Sequence, residues 1–189
     1  MNDLALYYQH RQFMKTGDLL TYRTMGVVSS LIHIWSPDNH AGMVLNLSEY
    51  EGEGFRRWTL EATSHGPRTA FLSRLLLEVN GEVYWHQLKP EYDSARIAIG
   101  CFALEQVGVV GYDFESLFKN MFGAVSADLR KLFCSEYVFL AWRESGIVEG
   151  ATAPRPSGLP LLGVTLPPVL IVKSKPATLS PPIVTPCFA

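Results

Sequence analysis

The chain has 189 residues, enough for one domain with a proper core or for one domain plus an appendage. Hydrophobic residues make up 48% and charged residues 18%, the balance of a globular and rather apolar body. A net charge of −2 argues against a general nucleic-acid binder, because the chain has no overall basic field to draw in phosphates, and no run reaches the roughly 18 uninterrupted apolar residues of a membrane span.

In chain order, Met1 to Lys15 holds Asn2, Asp3, Gln9, His10, Arg11 and Gln12, too polar for a signal peptide, so the expected compartment is the cytoplasm. Leu4 to Phe13 reads as a short helix closed by the turn Thr16-Gly17-Asp18, and Leu19 to Arg23 as a short strand. Two strands follow, Ala41 to Leu47 and Phe55 to Ala62, joined by the polar, glycine-bearing loop 49–54 as a hairpin. Glu82 to Leu88 is a further strand, rich in β-formers. Asp93 starts a helical run to Val107 that places Cys101 in the core. Phe114, Leu117, Phe118, Met121 and Phe122 suit a shorter helix, and a last one runs from Ser135 to Ser145 and stops at Gly146.

Nine of the twelve prolines lie between Pro154 and Pro186. Proline lacks the amide N–H and clashes with the preceding turn, so this stretch is expected to hold no regular helix or interior strand. The division that follows is a mixed α+β domain over residues 1–149 and a proline-rich extended arm over 150–189, apolar enough to cover its own domain or a protein partner.

Cys101, Cys134 and Cys187 form neither a metal spacing nor an even disulfide framework, and the five histidines show no HExxH pattern, so no metal site and no cofactor are expected. Cys134 stands where the last helix is expected to open, ahead of two turns that are apolar almost all round. A helix start offers unpaired N–H groups and the positive end of the dipole, which favour a thiolate and can hold an oxyanion. The competing reading is a small buried hydrophobe.

A thiol nucleophile needs a base, and the base needs an orienting group. His40, where a loop enters a strand beside Ala41 and Gly42, is the best base; period-2 alternation puts it on one face with Gly42 and Val44. Glu61 closes the neighbouring strand and shares a face with Arg57 and Thr59. If the strands pair through the short loop, one face carries both, and the carboxylate can hold the imidazole in the useful tautomer. An ordinary surface histidine and a solvated carboxylate are the alternatives, and His33, His65 and His86 compete but read as structural.

These residues match a pattern. Gly17-Asp18 before a strand, His40-Ala41-Gly42 opening a strand, Leu60-Glu61-Ala62 closing the next, Tyr112-Asp113-Phe114, and Phe133-Cys134-Ser135-Glu136 opening a helix resemble the permuted branch of the NlpC-type papain-like superfamily, the YiiX/YebB-like proteins, related in layout to lecithin–retinol acyltransferases. The resemblance covers about residues 15 to 147, and the order of histidine before cysteine is that of the permuted members. It implies a circularly permuted papain-like fold, a half-barrel of antiparallel strands packed against a buried cysteine helix. It carries over Cys134 as nucleophile, His40 as general base then acid and Glu61 as orienter, with Tyr112 and Ser135 as substrate or oxyanion candidates. Asn39 stands where the family often has Ser.

Three readings stay open: a cysteine peptidase or amidase cutting a small peptide, such as a cell-wall peptide, through an acyl-cysteine; an acyltransferase or thioesterase using the same pair on a lipid-like acyl group; and a non-catalytic assembly or virion component docked through its arm.

Overall fold

Strands β1 (Leu19–Thr24), β2 (His40–Leu45) and β3 (Trp58–Thr63) alternate in side-chain direction, and their pairing decides which residues meet. The chain, described here from a computed structural model over residues 2–24, 38–47, 56–63, 66–108 and 129–173 (backbone only for 129–133), is of the α+β class. With β4 (Gly66–Phe71), β5 (Gly81–His86) and β6 (Val169–Val172) these strands form one six-stranded sheet in the order β4-β3-β2-β1-β5-β6, every adjacent pair antiparallel.

One face of the sheet presents Leu19, Ala41, Met43, Leu45, Leu60 and Ala62 to helices α3 (Arg96–Glu105) and α4 (Leu129–Glu144). Residues 137 to 142 of α4 are all buried, as its apolar circumference requires: the sheet covers one side, α3 another, and a 3-10 turn over Pro156–Leu162 a third. The other face presents Leu20, Tyr22, Val44, Val83 and Trp85 to α1 (Ala5–His10) and α2 (Leu72–Glu78).

A buried carboxylate joins these layers. Asp18 Oδ1 accepts from the Leu88 amide (3.0 Å) and Arg96 Nη1 (2.8 Å), and Oδ2 from the Lys15 amide (2.9 Å) and Trp85 Nε1 (2.9 Å). Gly17 before it takes φ +88°, which favours glycine, and a Cβ there would stand 2.8 Å from Ile99 Cδ1 and push that side chain of α3 aside.

Several expectations change. The last helix begins at Leu129, five residues before Cys134, so Cys134 does not open it. Leu129, Leu132 and Phe133 continue the apolar spacing backwards with no breaker between, which is why the helix extends. Cys101 is exposed, because the buried stripe of α3 runs through Arg96, Ile99, Gly100 and Ala103 and Cys101 falls beside it. Asp93 to Ala95, expected to open the helix, belong instead to a 3-10 turn over Pro90–Ala95, and α3 starts at Arg96. Strand β4 and helix α2 had no counterpart in the sequence reading; Pro67 is tolerated in β4 because that strand lies at the sheet edge. The proline-rich stretch is built into the domain as far as Val172: Pro156 and Leu159 are buried, and β6 follows Pro167-Pro168 as the other edge strand. Loop 49–54, the apolar run 114–122, His33, His65, Cys187 and the arm from 174 onward lie outside the described residues.

Removing Arg96 leaves the fully buried Asp18 carboxylate without its cation, and breaking a buried pair from one side costs about 3–5 kcal/mol. The Arg96→Ala variant is expected to lose stability on that scale in urea unfolding; a loss within about 0.5 kcal/mol, the range of an ordinary surface substitution, would show that the pair is not a keystone.

Candidate active site

His40 is the first residue of β2, so its ring stands at the end of the sheet, with Thr63 of β3 level with it in register and Glu61 on the same face one step inward. Gly42 lies directly across from Glu61. A Cβ on Gly42 would sit 3.2 Å from Leu60 O and Thr59 Oγ1 and 3.4 Å from Glu61 Cβ, so the missing side chain lets the carboxylate stem pack flat against β2. The His40 ring packs against Tyr22, its β1 register partner, with centroids 5.1 Å apart.

His40 Nε2–H donates to Glu61 Oε2 at 2.7 Å, and the same ring hydrogen-bonds the Cys134 side chain. The other Glu61 oxygen, Oε1, accepts from Arg68 Nε (2.9 Å) and Nη2 (2.7 Å). The row Arg68, Glu61, His40, Cys134 therefore crosses four elements: β4, β3, β2 and α4. Arg68 is the member that sequence reasoning missed. Its signal was faint, because the β4 register that sets Arg68 opposite Glu61 was not foreseen.

Burial works against a charged His40, but hydrogen bonds to Cys134 and Glu61 and the electrostatic pull of both outweigh it and push the imidazole up to about 10. Burial likewise works against a charged Glu61, whose side chain is 2% exposed; His40 and Arg68 together outweigh it and hold the carboxyl below its ordinary range. Two residues beyond Cys134, burial pushes the Glu136 carboxyl up to about 7.

Cys134 itself is 1% exposed and Ser135 is fully buried, both inside α4. Because the helix starts at Leu129, the amide of Cys134 is past the four N–H groups that a helix start leaves open, and the expected oxyanion donors at that position are not there. Tyr112 lies outside the described residues. His86 is a separate, buried group: its Nε2 is hydrogen-bonded to Thr21 Oγ1 at 3.0 Å, and burial pushes its ring down to about 4. Among the described residues no group of three His, Cys, Asp or Glu side chains is placed to hold a metal ion, and no helix is long and apolar enough to cross a membrane.

No protein-family model matches the chain, and no curated protein matches it in sequence. Its fold is similar to the crystal structure of the metalloprotein YiiX from Escherichia coli O157:H7, with a TM-score of 0.52 and 12% identity over 86% of this chain and 99% of that one. At that identity the likeness is one of fold, which is YiiX-like.

Folded His40 keeps its proton to about pH 10, whereas an unfolded histidine releases it near 6.5. The folded state holds the extra proton between those values, so the stabilisation is full below about pH 6.5 and falls away as pH rises toward 10. Wild-type urea midpoints are expected to decline between about pH 6.5 and 9.5, with the decline much reduced in His40→Gln; equal slopes in the two proteins would show that His40 titrates normally.

Proposed function

We propose that the chain is a cysteine-dependent hydrolase of amide bonds, on a permuted papain-like arrangement, with Cys134 as nucleophile, His40 as general base then acid, and Glu61 as the group that orients His40. The observation that carries this reading is the single imidazole hydrogen-bonded to a carboxylate on one side and to the Cys134 side chain on the other. A nucleophile, a base and an orienter in contact is the arrangement acyl transfer requires.

In the proposed cycle Cys134 Sγ, its proton passed to His40, attacks the carbonyl carbon of a small peptide amide. The tetrahedral intermediate collapses as His40 gives that proton to the leaving nitrogen, and an acyl-cysteine remains. His40 then takes a proton from water as the oxygen attacks the thioester carbon, and returns it to the departing sulfur. Glu61 keeps the ring in place and offsets its positive charge throughout, and Arg68 keeps Glu61 ionised while His40 is transiently neutral. The fold neighbour is described as a metalloprotein. In this chain the His40 and Glu61 side chains are committed to each other, to Cys134 and to Arg68, so they do not offer a free donor set and no step here passes through a metal.

The test is the pH profile of iodoacetamide labelling of each cysteine by mass spectrometry, followed by turnover of fluorogenic peptide amides. At pH 6 Cys134 is expected to label, and His40→Ala to slow that labelling about tenfold or more, with exposed Cys101 as the internal reference. Cys134→Ala is expected to reduce turnover about 10³-fold or more with the fold intact. A Cys134 that is inert at pH 6, or a Cys134→Ala variant that still turns over, would sink the proposal and leave a scaffold domain. Release of fatty acid from acyl esters without peptide cleavage would redirect it to lipid-like substrates.

A further inference from the structure

At the other end of β3 lies a cavity of about 350 Å³, bordered by Tyr8, Arg11, Arg56, Phe71, Ser73 and Arg74. Three guanidinium groups from three separate segments meet around it: the 3-10 turn after α1, the residues entering β3, and α2. We propose that this cleft is a binding site for a small phosphate-bearing ligand with a flat ring, of mononucleotide size.

The charge is the first argument. Among the described residues these three cations have little carboxylate neutralisation. Among the described residues, the carboxylate that reaches them is Glu78, 3.6 Å from Arg74, and both of those side chains are more than two-thirds exposed, so the pair holds Arg74 only weakly. Arg11 and Arg56 are engaged with aromatic faces instead: Arg11 Cζ lies 4.9 Å from the Tyr8 ring centroid and Arg56 Cζ 5.8 Å from that of Phe71. A guanidinium held over a ring face by its charge still has N–H groups to offer, in the planar fork that matches two phosphate oxygens.

The aromatic wall is the second argument. Tyr8 is 52% exposed and Phe71 37%, so both rings offer a face to a ligand. Phe71 is backed by Trp58 at 3.9 Å, a stacked pair that presents a firm flat surface. Rings beside weakly held guanidiniums suit a ligand with a flat part next to an anion, and 350 Å³ is within the usual range for small-molecule sites.

The third argument is preorganisation. Arg57, next to Arg56, is buried, and its Nε donates to Met14 O (2.8 Å) and Nη2 to Gln12 O (3.2 Å). The Leu72 amide donates to Arg57 O (2.9 Å), which ties the start of α2 to the same residue. The segments that carry Arg11, Arg56 and Arg74 are thus fastened together by one buried side chain and its backbone, so the cleft does not depend on ligand for its shape. The site is separate from the cysteine site: Trp58 and Glu61 are three residues apart on β3, about 10 Å of strand.

Titration calorimetry of the whole chain with AMP, ADP and inorganic phosphate at about 150 mM NaCl tests this, since at that ionic strength a diffuse surface field is screened within about 8 Å. AMP is expected to bind saturably and more tightly than inorganic phosphate, with a change in Trp58 fluorescence. Arg56→Gln and Arg74→Gln are each expected to weaken AMP about tenfold or more. Phe71→Leu should weaken AMP and leave phosphate unchanged. Unchanged melting temperatures and Cys134 labelling in these variants would show that the loss is local and independent of the cysteine site. No saturable binding of any of the three, or binding that the arginine variants do not alter, would overturn the site; equal binding of AMP and phosphate would overturn the ring assignment.

Discussion

The Asp18 carboxylate and the Arg96 guanidinium form the contact on which the rest of the architecture hangs. Asp18 is the residue just before β1, and its two oxygens gather the amide of Lys15, the amide of Leu88, the indole of Trp85 and the guanidinium. Arg96 spends its other N–H groups on Thr16 O, Leu88 O and Asp93 Oδ1. A buried ion pair is stabilising in place only when its remaining donors and acceptors are met, and here they are. The effect is to fix the start of β1, the end of β5 and the start of α3 to one point. From α3 the order passes to α4, through the Tyr137 hydroxyl donating to Ala103 O (2.6 Å), and from Gly17 through Trp142 Nε1 donating to its carbonyl (3.1 Å). With both ends of its buried stretch so anchored, α4 can hold Cys134 at the same place relative to β2. A contact far from the cysteine thus sets the cysteine's position.

The site repeats the same physics with alternating charge. Arg68, Glu61 and His40 run plus, minus, plus, and each buried member has an opposite charge or a hydrogen-bond partner on either side. Glu61 at 2% exposure has lost almost all of its water, and three N–H donors replace it. Arg68 is the more exposed partner, so the row opens to solvent at the arginine and closes toward α4. Arg68 also occupies one oxygen of the carboxylate through Nε and Nη2, which leaves the other to face His40. The geometry of the imidazole is therefore determined two strands away from it.

The sequence carried much of this, and the reasons are specific. Period-2 alternation is rigid, so with β2 and β3 paired in the observed register, Met43 opposite Leu60, His40 and Glu61 share a face. The continuous apolar run after Cys134 announced a buried helix because nothing but full burial suits such a surface. Arg68 was beyond reach because cross-strand register is a non-local property, and β4, with Gly66-Pro67 at its start, lacks the usual strand signals. Cys101 was misplaced by one helical position, a shift that periodicity alone does not resolve when Ala98, Cys101 and Phe102 are all apolar. The joining of the proline-rich stretch to the sheet was hidden for a similar reason: proline forbids an interior strand, but an edge strand beginning just after Pro167-Pro168 violates nothing.

The start of α4 at Leu129 changes where a thiolate would get its support. A cysteine at a helix terminus draws on open N–H groups and the dipole, but Cys134 is in the second turn, where both have faded. On the proposed reading the stabilising charge must then come from His40 alone, whose proton Glu61 and Arg68 hold in place. Glu136 bears on the same balance. With burial pushing its carboxyl up to about 7, it is only partly ionised at neutral pH and opposes a nearby thiolate less than an ordinary glutamate would. As pH rises past that value its negative charge is completed, while His40 remains protonated to about 10. An oxyanion, by contrast, finds no donor in the amide of Cys134, so its support must be drawn from groups other than the nucleophile's own backbone.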